Sequence, residues 1–161
     1  MSSITPVFLA LLSMLLVVIG PNWSSLRAQS PLGLWKTIDD KNNKPASIIE
    51  LYEEDGAICG DILAILKEET KQANPMCVRC RDERKDQPVI GMQIIRDLKK
   101  DGDQWTGGNV LDPHTGNIYK CYLELMEPDI IKVRGYFGFS IFGRTQYWYR
   151  EPTRETLNAG N

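Results

Sequence analysis

Trp105-Thr-Gly-Gly-Asn-Val-Leu-Asp-Pro-His-Thr-Gly-Asn-Ile-Tyr119 opens the stretch that decides the fold. A strand-like run follows it, and then come Arg134-Gly-Tyr136 and Phe142-Gly-Arg-Thr-Gln-Tyr-Trp-Tyr-Arg150. Asp112-Pro-His-Thr-Gly116 has the chemistry of a tight turn, since Pro presets φ early in it and Gly accepts the left-handed position at its end. From Asn117 to Met126 the residues alternate. Tyr119, Cys121, Leu123 and Leu125 fall on one face, with Lys120 and Glu124 on the other, the period of a half-buried strand. Pro128-Asp129 turns the chain, Ile130 to Phe137 runs back, and Arg144 to Arg150 forms a last strand. Gly107-Gly108 lies inside the strand from Asp103 to Leu111, where paired glycines mark a bulge or bend as a sheet curls.

Working towards the N-terminus, the same grammar continues. Asp101-Gly102 and Asp55-Gly56 are turn signals, because these residue types tolerate φ > 0. Gly33 to Ile38, Ser47 to Glu53 and Ala57 to Leu66 read as strands. Val89 to Leu98 is apolar and fits either a strand or a short helix. About eight sequential strands with almost no helical periodicity predict an all-β fold, a small antiparallel up-and-down β-barrel. An open two-sheet sandwich is the alternative. Between Lys67 and Pro88 the pattern stops, and a connection of about 20 residues in a compact domain is either functional or pinned by a crosslink.

The chain has 161 residues. Its apolar run from Val7 to Ile19, interrupted by Ser13 and ended by Gly20-Pro21, matches the core of a signal peptide. At about 13 residues it is too short for a membrane-spanning helix. Ala28 supplies a small residue for cleavage, although no Lys or Arg precedes the apolar run. The expected organisation is therefore a signal peptide over residues 1–28, one barrel domain over 29–151 and a polar tail over 152–161. That makes the mature chain an exported protein, periplasmic or secreted, and not an integral membrane protein. Removing Arg27 leaves it one unit more acidic than the net −2 of the full chain, which argues against nucleic acid as a partner.

Several motifs in order carry a resemblance: Gly33-x-Trp35, Trp105-x-Gly107-Gly108, Asp112-Pro-x-Thr-Gly116-x-x-Tyr119, Val133-Arg134-Gly135 and Arg144-Thr-Gln-x-Trp148-x-Arg150. Over about residues 31 to 151 the chain resembles the bacterial exported family called domain of unknown function 2147. More broadly it resembles the lipocalin-like (calycin) barrels. Many members of the former carry cysteines near the positions of Tyr136 and Phe142, and this chain does not. The resemblance implies a lipocalin-like barrel in which a Gly-x-Trp on the first strand packs under an arginine of the last. It implies no activity.

The four cysteines allow three pairings, and an oxidising compartment favours pairing. Cys77-Val-Arg-Cys80 would clamp the long loop, leaving Cys59 and Cys121 as a second, cross-barrel or cross-strand pair. A redox-active Cys77-x-x-Cys80 needs a thiolate stabilised at a helix N-terminus, and no amphipathic pattern follows it. One Cys-x-x-Cys pair and the single His114 are too few for a zinc site, so no metal and no cofactor is expected. His114, in a turn, lacks the orienting partner that nucleophilic catalysis requires. Asp61 interrupts an apolar strand and points either into the barrel or, as a charge more commonly does, outward.

The aromatic and arginine group is the best site candidate. Trp105, Tyr119, Arg134 and Tyr136 are assigned to a ligand cavity, with Arg134 as the partner of an anion. Trp35, Arg144, Trp148 and Arg150 are assigned to a barrel plug held by a cation–π contact. Parity puts Arg144, Gln146, Trp148 and Arg150 on one face of the last strand. The expected function is non-enzymatic binding of a small amphipathic or anionic ligand, or of an envelope component. A structural envelope protein with a filled barrel, docking another envelope protein through its long loop, is the alternative. A redox or hydrolytic enzyme is the least supported reading.

Overall fold

The computed structural model describes residues 30–67 and 74–152. The expected leader over 1–28 and nearly all of the expected tail over 152–161 lie outside the described residues. Eight strands follow one another: β1 (Gly33–Ile38), β2 (Pro45–Glu54), β3 (Ala57–Ile65), β4 (Gln93–Asp101), β5 (Gln104–Asp112), β6 (Asn117–Glu127), β7 (Ile130–Tyr136) and β8 (Gly143–Glu151). Each pairs antiparallel with its sequence neighbours, and β1 pairs with β8 in the register Trp35↔Arg150, closing an up-and-down barrel. Closure removes both sheet edges and disposes of the sandwich alternative.

The two ends differ. One carries the two-residue turns 55–56, 102–103 and 128–129 together with the start of β1 and the end of β8. Asp55 and Gly56 both have positive φ, 50° and 75°, as a type I′ hairpin requires. The other end carries the longer connections 39–44, 66–92, 113–116 and 137–142. The ambiguous segment Val89 to Leu98 is a strand from Gln93 onward, where β4 begins, and forms no helix; Val89 and Met92 instead serve the preceding loop as buried apolar anchors.

The described part of that loop from residue 74 onward is pinned and packed, although its sequence is polar. Met76 bridges Pro88, and Cys77 and Cys80 form a disulfide with Cα atoms 5.5 Å apart. Cys77, Cys80, Val89 and Met92 join the core cluster. The loop packs against the β5–β6 turn so closely that a Cβ on Gly116 would lie 1.9 Å from the Arg79 carbonyl oxygen. Buried Arg84 pins the loop to the barrel: its guanidinium grips the Asp82 carboxylate and donates to the Gln93 carbonyl at 2.9 Å. The Arg84 hydrogen bond holds the Asp82 carboxyl down at about 2. A depressed folded-state pKa contributes stability above the ordinary value of 3.8, and that stability is lost as pH falls through about 2. Asp82→Asn is therefore expected to cost about 1 kcal/mol at pH 7, after allowance for solvent screening. The gap to the parent protein closes between pH 4 and pH 2 as read by urea midpoints, and a gap independent of pH would refute the assignment.

The second expected disulfide does not form: Cys59 and Cys121 are free thiols, both buried. Cys121 lies between Gly108 and Gly135 in the register and belongs to the interior cluster. Cys59 pairs with Tyr52, which alternates with the interior Leu51 and so faces outward. The two thiols sit on opposite faces of the barrel wall, which no disulfide geometry spans. Burial pushes the Cys121 thiol up to about 12 and raises that of Cys59. Asp61, opposite Glu50, is on the outer face too, where its carboxylate accepts a 2.9 Å hydrogen bond from the Tyr52 hydroxyl.

Candidate ligand-binding cavity

The interior is filled in one half and open in the other. At the two-residue-turn end, Trp35 is wholly buried and its indole Nε1 donates to the Pro31 carbonyl at 2.7 Å. The Arg150 guanidinium stacks on it, 4.3 Å from the ring centroid. Arg150 also donates to three carbonyls, those of Pro128 (2.7 Å), Leu32 (2.9 Å) and Ser30 (2.9 Å). One guanidinium thereby ties the chain before β1 and the β6–β7 turn to the last strand. Gly33 has a reason to precede this tryptophan: its φ is +117°, and a Cβ there would sit 3.2 Å from an Arg150 nitrogen. Leu51, Ile95, Leu98, Leu123 and Ile131 are fully buried and pack with Trp35 in one cluster.

At the opposite end a cavity of about 470 Å³ opens. Its apolar wall comes from Ile49, Ile62, Ile94, Val110, Tyr119, Val133 and Trp148. Its polar groups lie mostly on β8, β1 and β2, as Arg144, Gln146, Thr37 and Ser47, with Asp112 added from the end of β5. Those of β8, β1 and β2 are hydrogen-bonded. Arg144 pairs with Asp40, just beyond the neighbouring strand β1, Gln146 donates to Asp40 at 3.4 Å, and the Trp148 indole donates to Gln146 at 3.3 Å. The Thr37 and Ser47 hydroxyls share a hydrogen bond of 2.7 Å. A volume of this size suits one small ligand, and the polar stripe from mouth to Trp148 gives the cavity two chemically distinct sides.

The structure redistributes the residues singled out in the sequence. Trp35 and Arg150 make the plug, but Arg144 does not share it. Arg144 lies at the far end of the same face, 63% exposed in its side chain and paired with Asp40. The rise of about 20 Å along strand β8 between Arg150 and Arg144 carries it there, at about 3.3 Å per residue, which same-face parity alone does not convey. Trp148 sits between the two, buried opposite Ile131 and lining the cavity rather than plugging the end. Among the four assigned to the ligand, Tyr119 lines the cavity and packs against Phe137, the rings tilted by 53° with centroids 4.5 Å apart. Tyr136 contributes to the rim with its ring near that of Tyr122.

Arg134 and Trp105 are corrections. Arg134 alternates with the interior Val133 and with Gly135, so it faces outward. There it braces the β7–β8 connection through Thr145 Oγ1 (2.6 Å) and the Ser140 and Ile141 carbonyls (2.8 and 3.2 Å). Trp105 is at the filled end, opposite Leu123 and capped by Lys100 at 3.7 Å. Asp40, Thr37 and Ser47 were not legible as site residues. The first lies in a polar turn, and the hydroxyls become significant only once β1 and β2 are in register, Thr37 opposite Ser47. His114 is exposed in its turn. Among the described residues no group of three His, Cys, Asp or Glu is placed to hold a metal ion.

Comparison with known proteins agrees with this architecture. Protein HP1028 from the human pathogen Helicobacter pylori, described as belonging to the lipocalin family, superposes with a TM-score of 0.69 over 81% of this chain and 89% of its own. At 16% identity the likeness concerns the fold. No curated protein matches the chain. A family match covers residues 33–150, the span of the closed barrel from the plug glycine to the plug arginine, and the chain belongs to DUF2147, the uncharacterized proteins conserved in bacteria.

Proposed function

We propose that this protein is a non-enzymatic binder of a small amphipathic molecule, held with its apolar part in the barrel and its polar or anionic head beside Arg144 at the mouth. The carrying observation is the two-sided cavity of about 470 Å³ above a sealed floor. An apolar body placed against Val110, Val133 and Trp148 would gain from leaving water. Arg144 supplies the fork that a carboxylate or phosphate accepts, in exchange for its contact with Asp40. The open half of the interior weighs against the filled-barrel alternative. The Cys77–Cys80 disulfide fits an oxidising compartment, and with the apolar leader it supports export to the periplasm or beyond.

The test is native mass spectrometry of protein purified gently from its own envelope fraction, paired with titration by anilinonaphthalene sulfonate. A reproducible added mass and quenching of tryptophan by the anionic dye are expected. Gly135 provides the discriminating variant, since a Cβ there points between Val110 (3.3 Å) and Tyr119 (3.5 Å) in the cavity wall. Gly135→Leu fills the space and should weaken dye binding at least about tenfold, with the circular dichroism of the barrel retained. A bare mass together with undiminished dye binding in Gly135→Leu would sink the proposal.

A further inference from the structure

The connection between β7 and β8 reads Phe137-Gly-Phe-Ser-Ile-Phe142, without one charge. Its side chains are not folded inward: Phe139 is 77% exposed, Ile141 75% and Phe142 71%. Soluble proteins seldom leave such a contiguous group in water unless it meets a partner or a membrane. The loop stands at the cavity mouth, which Phe137 and Phe142 line, and exposed Met76 and Val78 belong to another connection at the same end.

Two features say what covers it. The first is the backbone. Arg134 donates to the Ser140 and Ile141 carbonyls, and Phe142 N–H donates to the Phe139 carbonyl at 3.0 Å while Phe137 N–H donates to that of Phe142 at 3.3 Å. With the carbonyls of residues 139–142 satisfied internally, the loop enters a region poor in water at a reduced cost in bare polar groups. The second is charge. The sealed end presents Asp55, Asp103 and Asp129 in its three turns, flanked by Glu53, Glu54, Asp101 and Glu127, which outnumber the exposed Lys99 and Lys100 there. At the open end the exposed cations Lys41, Lys44, Arg81 and Lys85 join none of the ion pairs among the described residues, and exposed Asp86 opposes them as a single acid in the same condition. An anionic surface attracts the open end and repels the sealed one, which aims the loop at it.

We propose that the open end of the barrel docks on an anionic phospholipid bilayer, with Phe139, Ile141 and Phe142 entering the boundary between headgroups and acyl chains. Aromatic and aliphatic side chains beside cations are the composition that this boundary retains. The cavity mouth then faces the lipid, and the docking stands whether or not the cavity holds a ligand.

The test places a reporter on the loop of the full chain. Ser140→Cys is labelled with a polarity-sensitive nitrobenzoxadiazole dye, the native thiols being buried or paired, and Asp129→Cys carries the same dye at the sealed end. With vesicles of phosphatidylglycerol and phosphatidylethanolamine, emission from position 140 should rise and shift to the blue while that from 129 stays constant. Phe139→Ser with Ile141→Ser should weaken the partitioning about tenfold or more, since each removes apolar area from the lipid. Phosphatidylcholine vesicles, or high salt, should weaken it as well. No response at 140, or an equal response at both positions, overturns the proposal. So does a dimer that the two serine substitutions dissolve, seen by sedimentation velocity without any response to vesicles, because the loop would then pair two copies of this chain.

Discussion

Trp35→Ala is expected to lower the unfolding free energy by about 3–5 kcal/mol, the range for deleting a buried aromatic side chain. Domains of this kind hold about 5–15 kcal/mol in all, so the variant should be marginal at ambient temperature. The reason for the upper end lies in what rests on the ring. Trp35 is wholly buried, and the Arg150 guanidinium that stacks on it also ties together the carbonyls of Ser30, Leu32 and Pro128. Arg150→Ala should cost about 2–4 kcal/mol through the orphaned carbonyls and the lost stacking. Arg150→Lys should recover only a fraction, because an ammonium lacks the planar fork that reaches three acceptors and covers a ring. The double variant Trp35→Ala with Arg150→Ala should fall short of the sum of the singles, since the two residues act as one unit. Urea unfolding followed by circular dichroism reads all four proteins, and strict additivity would show that the stack contributes nothing of its own. Binding of anilinonaphthalene sulfonate by whatever fraction remains folded should be unchanged, because the plug lies at the end away from the cavity.

That division of the barrel explains what could be seen in the sequence. Alternation in Asn117 to Met126 and the turn chemistry of Asp55-Gly56 and Asp112 to Gly116 are local properties, so the strands and their order were readable from them. The Trp35–Arg150 pair was readable only through the resemblance to lipocalin-like barrels. Parity alone grouped Arg150 with Arg144, whereas the plug and the mouth lie at opposite ends of the same strand face. Arg134 illustrates the complementary difficulty. Its neighbours in sequence are those of a cavity residue, but Val133 and Gly135 hold the interior positions, and its partners are the carbonyls of a loop with no charge to advertise them. The free thiols Cys59 and Cys121 could be sorted to opposite faces only with the register of five strands in hand. The mouth ladder from Asp40 to Trp148 joins a turn to a strand more than 100 residues away, and closure of β1 on β8 is what brings them together.

The glycine pair in β5 gives the other large effect, and it separates two physical causes within adjacent residues. The sheet bends here: the β5–β6 register shifts between Trp105 and Gly108, while Asp97 on β4 takes a positive φ of 62°. The β4 backbone is thereby pressed against Gly108, where a Cβ would lie 2.0 Å from the Arg96 carbonyl oxygen and 2.8 Å from the Leu98 nitrogen. Gly108→Ala must move a strand rather than the tip of a side chain, and it should cost about 3 kcal/mol or more, the top of the range for overpacking. Gly107 differs. A Cβ there meets nothing within 4 Å, but its φ of +82° is left-handed, so Gly107→Ala should cost only about 1–2 kcal/mol of backbone strain. Gly107→Asn should recover part of that, because asparagine tolerates the left-handed region better than alanine, whereas no side chain at all should rescue position 108. The order of urea midpoints, parent above Gly107→Asn above Gly107→Ala above Gly108→Ala, is the expected result. Equal losses at the two positions would mean that the bend is a matter of backbone conformation alone, and that the close passage of β4 over Gly108 does not shape the barrel.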